Sequence, residues 1–142
     1  MAFLLATGCY DKYQTEIKVT GSTLGVACKT DLTVKGTAVF KPLVASSTFG
    51  GGVALMMWDI NDGEVTVLNV EAHQKGTQSI TETIDTTSFE EDHLYVFSIE
   101  AGANHDTFVK GETMTVAEYE ATTTSLELYT RATSVVKVDC LP

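Results

Sequence analysis

A chain of 142 residues is the size of a single domain and is long enough to bury a real core. Nineteen acidic against nine basic residues give a net charge of −10, which argues against a nucleic-acid partner or an anionic membrane surface, since both need clustered Lys and Arg. The densest basic stretch, Lys35 with Lys41, is no patch in the sequence. A hydrophobic content of 44% argues against disorder, and no run approaches the roughly 18 apolar residues of a membrane span.

The opening "MAFLLATGCYDKY" resembles a lipoprotein cleavage site at Cys9. No Lys or Arg precedes its apolar run, however, and that run is about five residues where a signal needs roughly 7–15. The expectation is an unprocessed segment without a signal peptide. Cys9, Cys28 and Cys140 are odd in number and lie far apart, which points to free thiols in a reducing compartment, with a Cys9–Cys28 bridge left open.

Alternation at period two recurs along the chain, which carries 22 Thr and 15 Val, residues suited to a pleated surface. The predicted strands are "TEIKVT" (15–20), "TLGVACKTDLTV" (23–34), and, after "KG", "TAVFKPLV" (37–44). Pro42 makes the last of these an edge strand or marks its end. "VALMMWDI" (53–60), "EVTVLNVEA" (64–72), "QSITETIDT" (78–86), "LYVFSIEA" (94–101), "TMTVAEYEA" (113–121) and "SLELYTRATSVVKVDC" (125–140) follow. Only "SFEEDH" and "TVAEYEA" have room for a helical turn. Nine or ten short strands at this spacing predict one all-β domain over residues 1–142, an antiparallel two-sheet sandwich. The framework is jelly-roll or immunoglobulin-like, with jelly roll preferred because Trp58 lacks a suitably spaced cysteine pair.

"DINDGEVTVLNVE" is the stretch most like a site. Counted from Asp59, a calcium loop of the EF-hand kind would need an oxygen ligand where Gly63 stands and a Glu where Val70 stands. Asn61-Asp62-Gly63 between two alternating runs instead predicts a hairpin corner with Gly63 left-handed. The alternative is an irregular calcium site at Asp59, Asn61 and Asp62. The preceding "VALMMW" is apolar on both faces, so the chain either covers its second face or presents it, through Met56 and Trp58, to another subunit.

His73, His93 and His105 sit at predicted turns and are expected to be solvated and isolated. "TFGGGV" (48–53) lacks the Lys and helix of a phosphate loop and reads as a flexible connection, and "FEEDH" (89–93) as a solvated loop. Of Trp58, Tyr95, Phe97, Tyr119 and Tyr129, candidates for a sugar-stacking platform, Tyr95 and Phe97 alternate as a core pair does. No G-x-S-x-G or paired Cys and His is present, and neither catalysis nor a cofactor is expected.

The Thr/Val-rich strands, "VALMMWDINDGEVTVLNVE" and "TQSITETIDTTSFEEDHLYVFSIEAG" resemble, in style, the small β-sandwich proteins that decorate (cement) or form knobs on tailed-phage virions. The resemblance implies a non-enzymatic protein made in the host cytoplasm. It would stabilise the virion surface by binding the major capsid protein or another virion protein, as a homo-oligomer and often a trimer. Residues 1–13, with Phe3, Leu4 and Leu5, are the candidate docking arm. A rival class is a carbohydrate- or receptor-binding sandwich of a phage tail or fibre, and a blander one is a tail or neck adaptor.

Overall fold

The computed structural model describes residues 12–21, 25–27, 30–41, 51–73 and 75–139. The expectations placed on Phe3, Leu4, Leu5, Cys9, Cys28 and Cys140 lie outside them. The strands are β1 (Lys12–Thr20), β2 (Val26–Ala27), β3 (Leu32–Lys41), β4 (Gly51–Asp59), β5 (Glu64–Ala72), β6 (Gly76–Ile84), β7 (Leu94–Ala103), β8 (Thr113–Thr115) and β9 (Leu128–Asp139). One helix, α1 (Val116–Thr123), and 3-10 turns at Thr86–Ser88 and His105–Thr107 complete the described elements. They build a three-stranded sheet, β1-β3-β6, and a six-stranded sheet, β2-β9-β7-β4-β5-β8.

The all-β expectation holds, but the sheets are not wholly antiparallel. β2 runs parallel to β9, through Val26↔Val138 and Ala27↔Asp139. It joins the sheet at its edge and not through a hairpin, the connection that forces neighbours to run in opposite directions. A second correction concerns "KG". Lys35 and Gly36 do not punctuate two strands but lie inside β3, the centre of its sheet. A Cβ on Gly36 would stand 2.7 Å from Ile99 Cδ1, so the glycine lets the sheets approach where Ile99 crosses between them.

Period-two patterning fills the space between the sheets. Leu32, Val34 and Ala38 of β3, with Val19 and Ile80, meet Leu55, Phe97, Ile99, Val136 and Val138 of the larger sheet. Tyr95 and Phe97 belong to this core, as their alternation predicts.

The other face of β4 is covered by the chain itself. Ala54 and Met56 join Val65 and Val67 of β5 in a second cluster, beneath Phe108, Met114 and Tyr119 from the segment that holds β8 and α1. Met56 is fully buried there. The subunit-interface expectation for Met56 is thereby corrected, because residues 105–126 supply the cover. α1 starts at Thr115, whose hydroxyl accepts the Glu118 N–H at 3.0 Å and contacts the Glu118 carboxylate at 3.1 Å. This reciprocal cap fixes the change from strand to helix.

Two bulges adjust the strand faces. Pairing of β5 with β4 slips between Leu55↔Asn69 and Met56↔Val67, leaving Leu68 as the extra residue. Val65 and Val67, and then Val70, can therefore all pack into the second cluster while Leu68 packs into the first. β9 slips likewise at Tyr129, between Ala101↔Thr130 and Gly102↔Leu128.

Met56→Ala should cost about 2–5 kcal/mol in chemical denaturation, the usual range for a buried Met. Met56→Glu should leave no folded monomer, since it buries an unpaired charge. A folded Met56→Glu chain that had only lost a subunit contact would contradict this cover.

Candidate functional site

The predicted corner forms between β4 and β5. Gly63 is left-handed at φ +68 and donates its N–H to the Asp59 carbonyl at 2.9 Å. Asp59 Oδ1 accepts the N–H groups of Asn61 and Asp62, both at 3.1 Å. Asn61 Oδ1 accepts the Leu94 N–H at 2.8 Å, so this side chain faces the start of β7 and ties the corner to it.

His93, from the loop before β7, takes the place that spacing alone gave to Asn61. Its Nδ1 lies 3.1 Å from Asp59 Oδ2 and its Nε2 2.9 Å from Glu90 Oε2. Asp59, Asp62 and His93 each offer a ligand atom within 4.8 Å of the others, a set able to hold a cation. The same arrangement holds a proton. The hydrogen bond to Asp59 raises the His93 pKa, partial burial opposes it, and the charges of Asp59, Glu90 and Asp62 add to the rise. The histidine is neither isolated nor freely solvated, because the fold brings two acids to its two ring nitrogens.

His73 and His105 are also corrected: both are buried. His73 sits beside Phe40 and Tyr13, with ring centroids at 5.7 and 6.5 Å, and burial lowers its pKa. His105 rests on the backbone of Gly102, where an added Cβ would stand 2.3 Å from its ring. Gly51 and Gly52 are not a flexible connection but the buried start of β4. A Cβ on Gly52 would meet the Asp106 backbone N at 2.3 Å, so the 105–107 turn lies directly on the sheet.

Between that turn and α1 lies the most concentrated group of polar side chains among the described residues. Glu100, fully buried on the outer face of β7, accepts from Tyr119 Oη and meets His105 Nε2 at 3.3 Å through Oε1. Its Oε2 lies 3.1 Å from Arg131 Nη2, which also donates to Tyr119 Oη at 2.9 Å. Ser98 contacts the same carboxylate at 3.5 Å and accepts from Trp58 Nε1 at 2.8 Å. The Arg131 guanidinium lies 5.6 Å from the Trp58 ring centroid, and Trp58 meets Tyr119 edge-on at 4.7 Å. Burial pushes the Glu100 carboxyl up, but the hydrogen bonds from His105 and Tyr119 and the charge of Arg131 reverse this and hold it below the usual range. Burial and the Glu100 charge push the Tyr119 hydroxyl well above its ordinary value. A high Tyr119 pKa makes it a donor and not a base, and the carboxylate it meets is already saturated with donors. The arrangement therefore clamps α1 and the 105–107 turn to β7. Its one sequence signal was Glu100 itself, the only charge in the otherwise apolar or small "YVFSIEAGA".

Of the aromatic candidates, Tyr95, Phe97 and Tyr119 are buried and Trp58 is engaged in this clamp. Tyr129 is 38% exposed. The β9 bulge turns it onto Tyr13, at 4.6 Å, and Tyr13 stacks in turn on Phe40 at 4.8 Å. Comparison with known proteins finds no family model, no curated protein and no solved structure that matches the chain. Among the described residues no helix is long and apolar enough to cross a membrane.

Glu100→Gln should cost about 3 kcal/mol in urea denaturation, the low end for breaking one partner out of a buried charged group. A loss below about 1 kcal/mol would remove the clamp from the stability of the fold. His93 gives a pH signature. Its folded pKa lies above the unfolded value, so its stabilisation is complete below that value and fades as pH rises through the raised one. Melting temperatures measured from pH 6 to 9 should show the difference between the native chain and His93→Gln shrinking as pH rises (about those limits, around the ordinary His pKa). A constant difference would contradict the ion pair.

Proposed function

We propose that the chain is a non-enzymatic virion structural protein, an immunoglobulin-like sandwich that decorates and stabilises the exterior of a phage capsid. The observation that carries this reading is the strand order. β9-β7-β4-β5 matches the G-F-C-C′ order of an immunoglobulin-type sheet, β2 joins β9 in parallel, and β1-β3-β6 forms the facing sheet. This favours the immunoglobulin-like over the jelly-roll form. Trp58 departs from the immunoglobulin pattern, since it lies on the outer face of β4 and not between the sheets.

The polar group gathered around the buried Glu100 supports the same reading. Glu100, His105, Tyr119 and Arg131 bond to one another and hold the outer segment in place. That internal bonding suits a rigid assembly subunit. The net charge of −10 suits a surface kept away from packaged nucleic acid.

The test is an add-back experiment with virions that lack the protein. The purified chain should bind such particles at regular capsid positions seen by electron microscopy, as a homo-oligomer, and should raise the temperature at which they release DNA. Labelling confined to the tail, or binding without any gain in capsid stability, would overturn the proposal.

A further inference from the structure

The two sequence-distant halves of a basic face meet on the β1-β3-β6 sheet. On β3 the residues 32, 34, 36, 38 and 40 turn inward, which sends Thr33, Lys35, Thr37, Val39 and Lys41 outward. On β1, Gln14, Glu16 and Lys18 are the outward, exposed residues. The register sets Lys18 opposite Lys35 and Glu16 opposite Thr37. β6 contributes Thr77, Ser79, Thr81 and Thr83 to this face and no acid. A chain of net charge −10 thus carries three exposed lysines against one glutamate on a single sheet face. Lysines directly opposite one another repel, a cost that no fold requires. The ion pairs of Lys110 with Glu82 and of Lys137 with Asp139 lie elsewhere.

The face is also grooved. A cleft of about 480 Å³ is lined by Tyr13, Gln14, Thr15, Glu16, Thr37, Val39 and Thr130, and a second of about 360 Å³ by Glu16, Ile17, Lys18, Lys35 and Thr37. They share Glu16 and Thr37 and so form one trough. One end holds the paired lysines and the other the edge of the Tyr129–Tyr13–Phe40 stack.

We propose that this trough binds an acidic oligosaccharide, with carboxylates of the ligand on Lys18 and Lys35 and its sugar hydroxyls along Gln14, Glu16 and Thr37 toward Tyr13. The lining chooses the class. Hydroxyls, an amide and an aromatic edge beside the apolar Val39 and Ile17 suit a chain that carries hydroxyls on apolar ring carbons, and the lysines require that chain to carry negative charge. The single Glu16 between them accepts ligand hydroxyls and selects against a ligand as densely charged as a nucleic-acid backbone. This site goes beyond attachment to a capsid and does not depend on it.

The test titrates the isolated protein with a mannuronate hexamer and, as the neutral control, maltohexaose, followed by backbone amide shifts in NMR. The expected result is saturable binding of the mannuronate hexamer, with shifts concentrated at residues 13–18, 35–37 and 130. Raising NaCl from about 50 to 300 mM should weaken it several-fold. Lys18→Ser with Lys35→Ser should weaken it roughly ten-fold, the scale of losing about 1.4 kcal/mol. These positions are exposed, and Lys18→Arg with Lys35→Arg, which keeps the charge, should retain binding and serve as the fold control. Equal binding of maltohexaose, binding untouched by the serine pair, shifts located elsewhere, or no binding of the mannuronate hexamer would each overturn the proposal. So would a sedimentation result showing that this face joins two copies of the chain.

Discussion

A strand that is apolar on both faces has to be covered twice, and β4 imposes that requirement on the rest of the molecule. Val53 and Leu55 draw the small sheet onto one side, while Ala54 and Met56 demand a second layer on the other. A nine-stranded, two-sheet arrangement by itself leaves that outer side wet. The chain answers with the segment between β7 and β9, which turns at 105–107, adds β8 to the sheet edge and lays α1 across the face. The element order after β7 is best understood as the consequence of six residues, "VALMMW".

A helix of eight residues, with Tyr119 its one buried side chain, has little stability of its own, and isolated helices of that length do not persist in water. Apolar contact through Tyr119, Phe108 and Met114 supplies part of what holds α1. The Glu100 clamp supplies direction, because a carboxylate meeting a phenol, an imidazole and a guanidinium fixes three elements at defined angles. A buried ionic group of this kind is weak evidence for stability as such, since apolar side chains of the same volume often do as well. Here it ties α1, the 105–107 turn and Arg131 of β9 to one carboxylate on β7.

Much of the architecture was readable from period two. β5 begins and ends where the alternation of "EVTVLNVEA" places it, and the corner at Asn61-Asp62-Gly63 follows from turn chemistry. The failures have physical causes. Gly36 resembled a break because a glycine in a strand carries no side chain to show that Ile99 needs its space. His105 resembled a turn residue because it is one, and sequence does not reveal that the turn folds back onto Gly102. His93 and Asp59 are 34 residues apart, and their pairing depends on the corner and the β7 entry sharing one end of the sheet. Lys18 and Lys35 were legible singly and not as a pair, for register is decided by strand order, which local pattern does not encode.

The bulges at Leu68 and Tyr129 act as phase changes in an otherwise strict two-beat rhythm. On either side of Leu68 the strand is read in a different frame, so the apolar set that would have passed to the opposite face returns to its own. The shift belongs to the pairing and not to the residue count. A strand of unchanged length that paired straight through Leu68 would exchange faces over the remainder of β5 and send Val70 into the neighbouring layer. With Leu68 removed, Val67 opposite Met56 and Asn69 opposite Leu55 would follow one another directly, and every later side chain would keep its face. The bulges are therefore the points in these strands where a change of length can be absorbed, at side chains that look unremarkable.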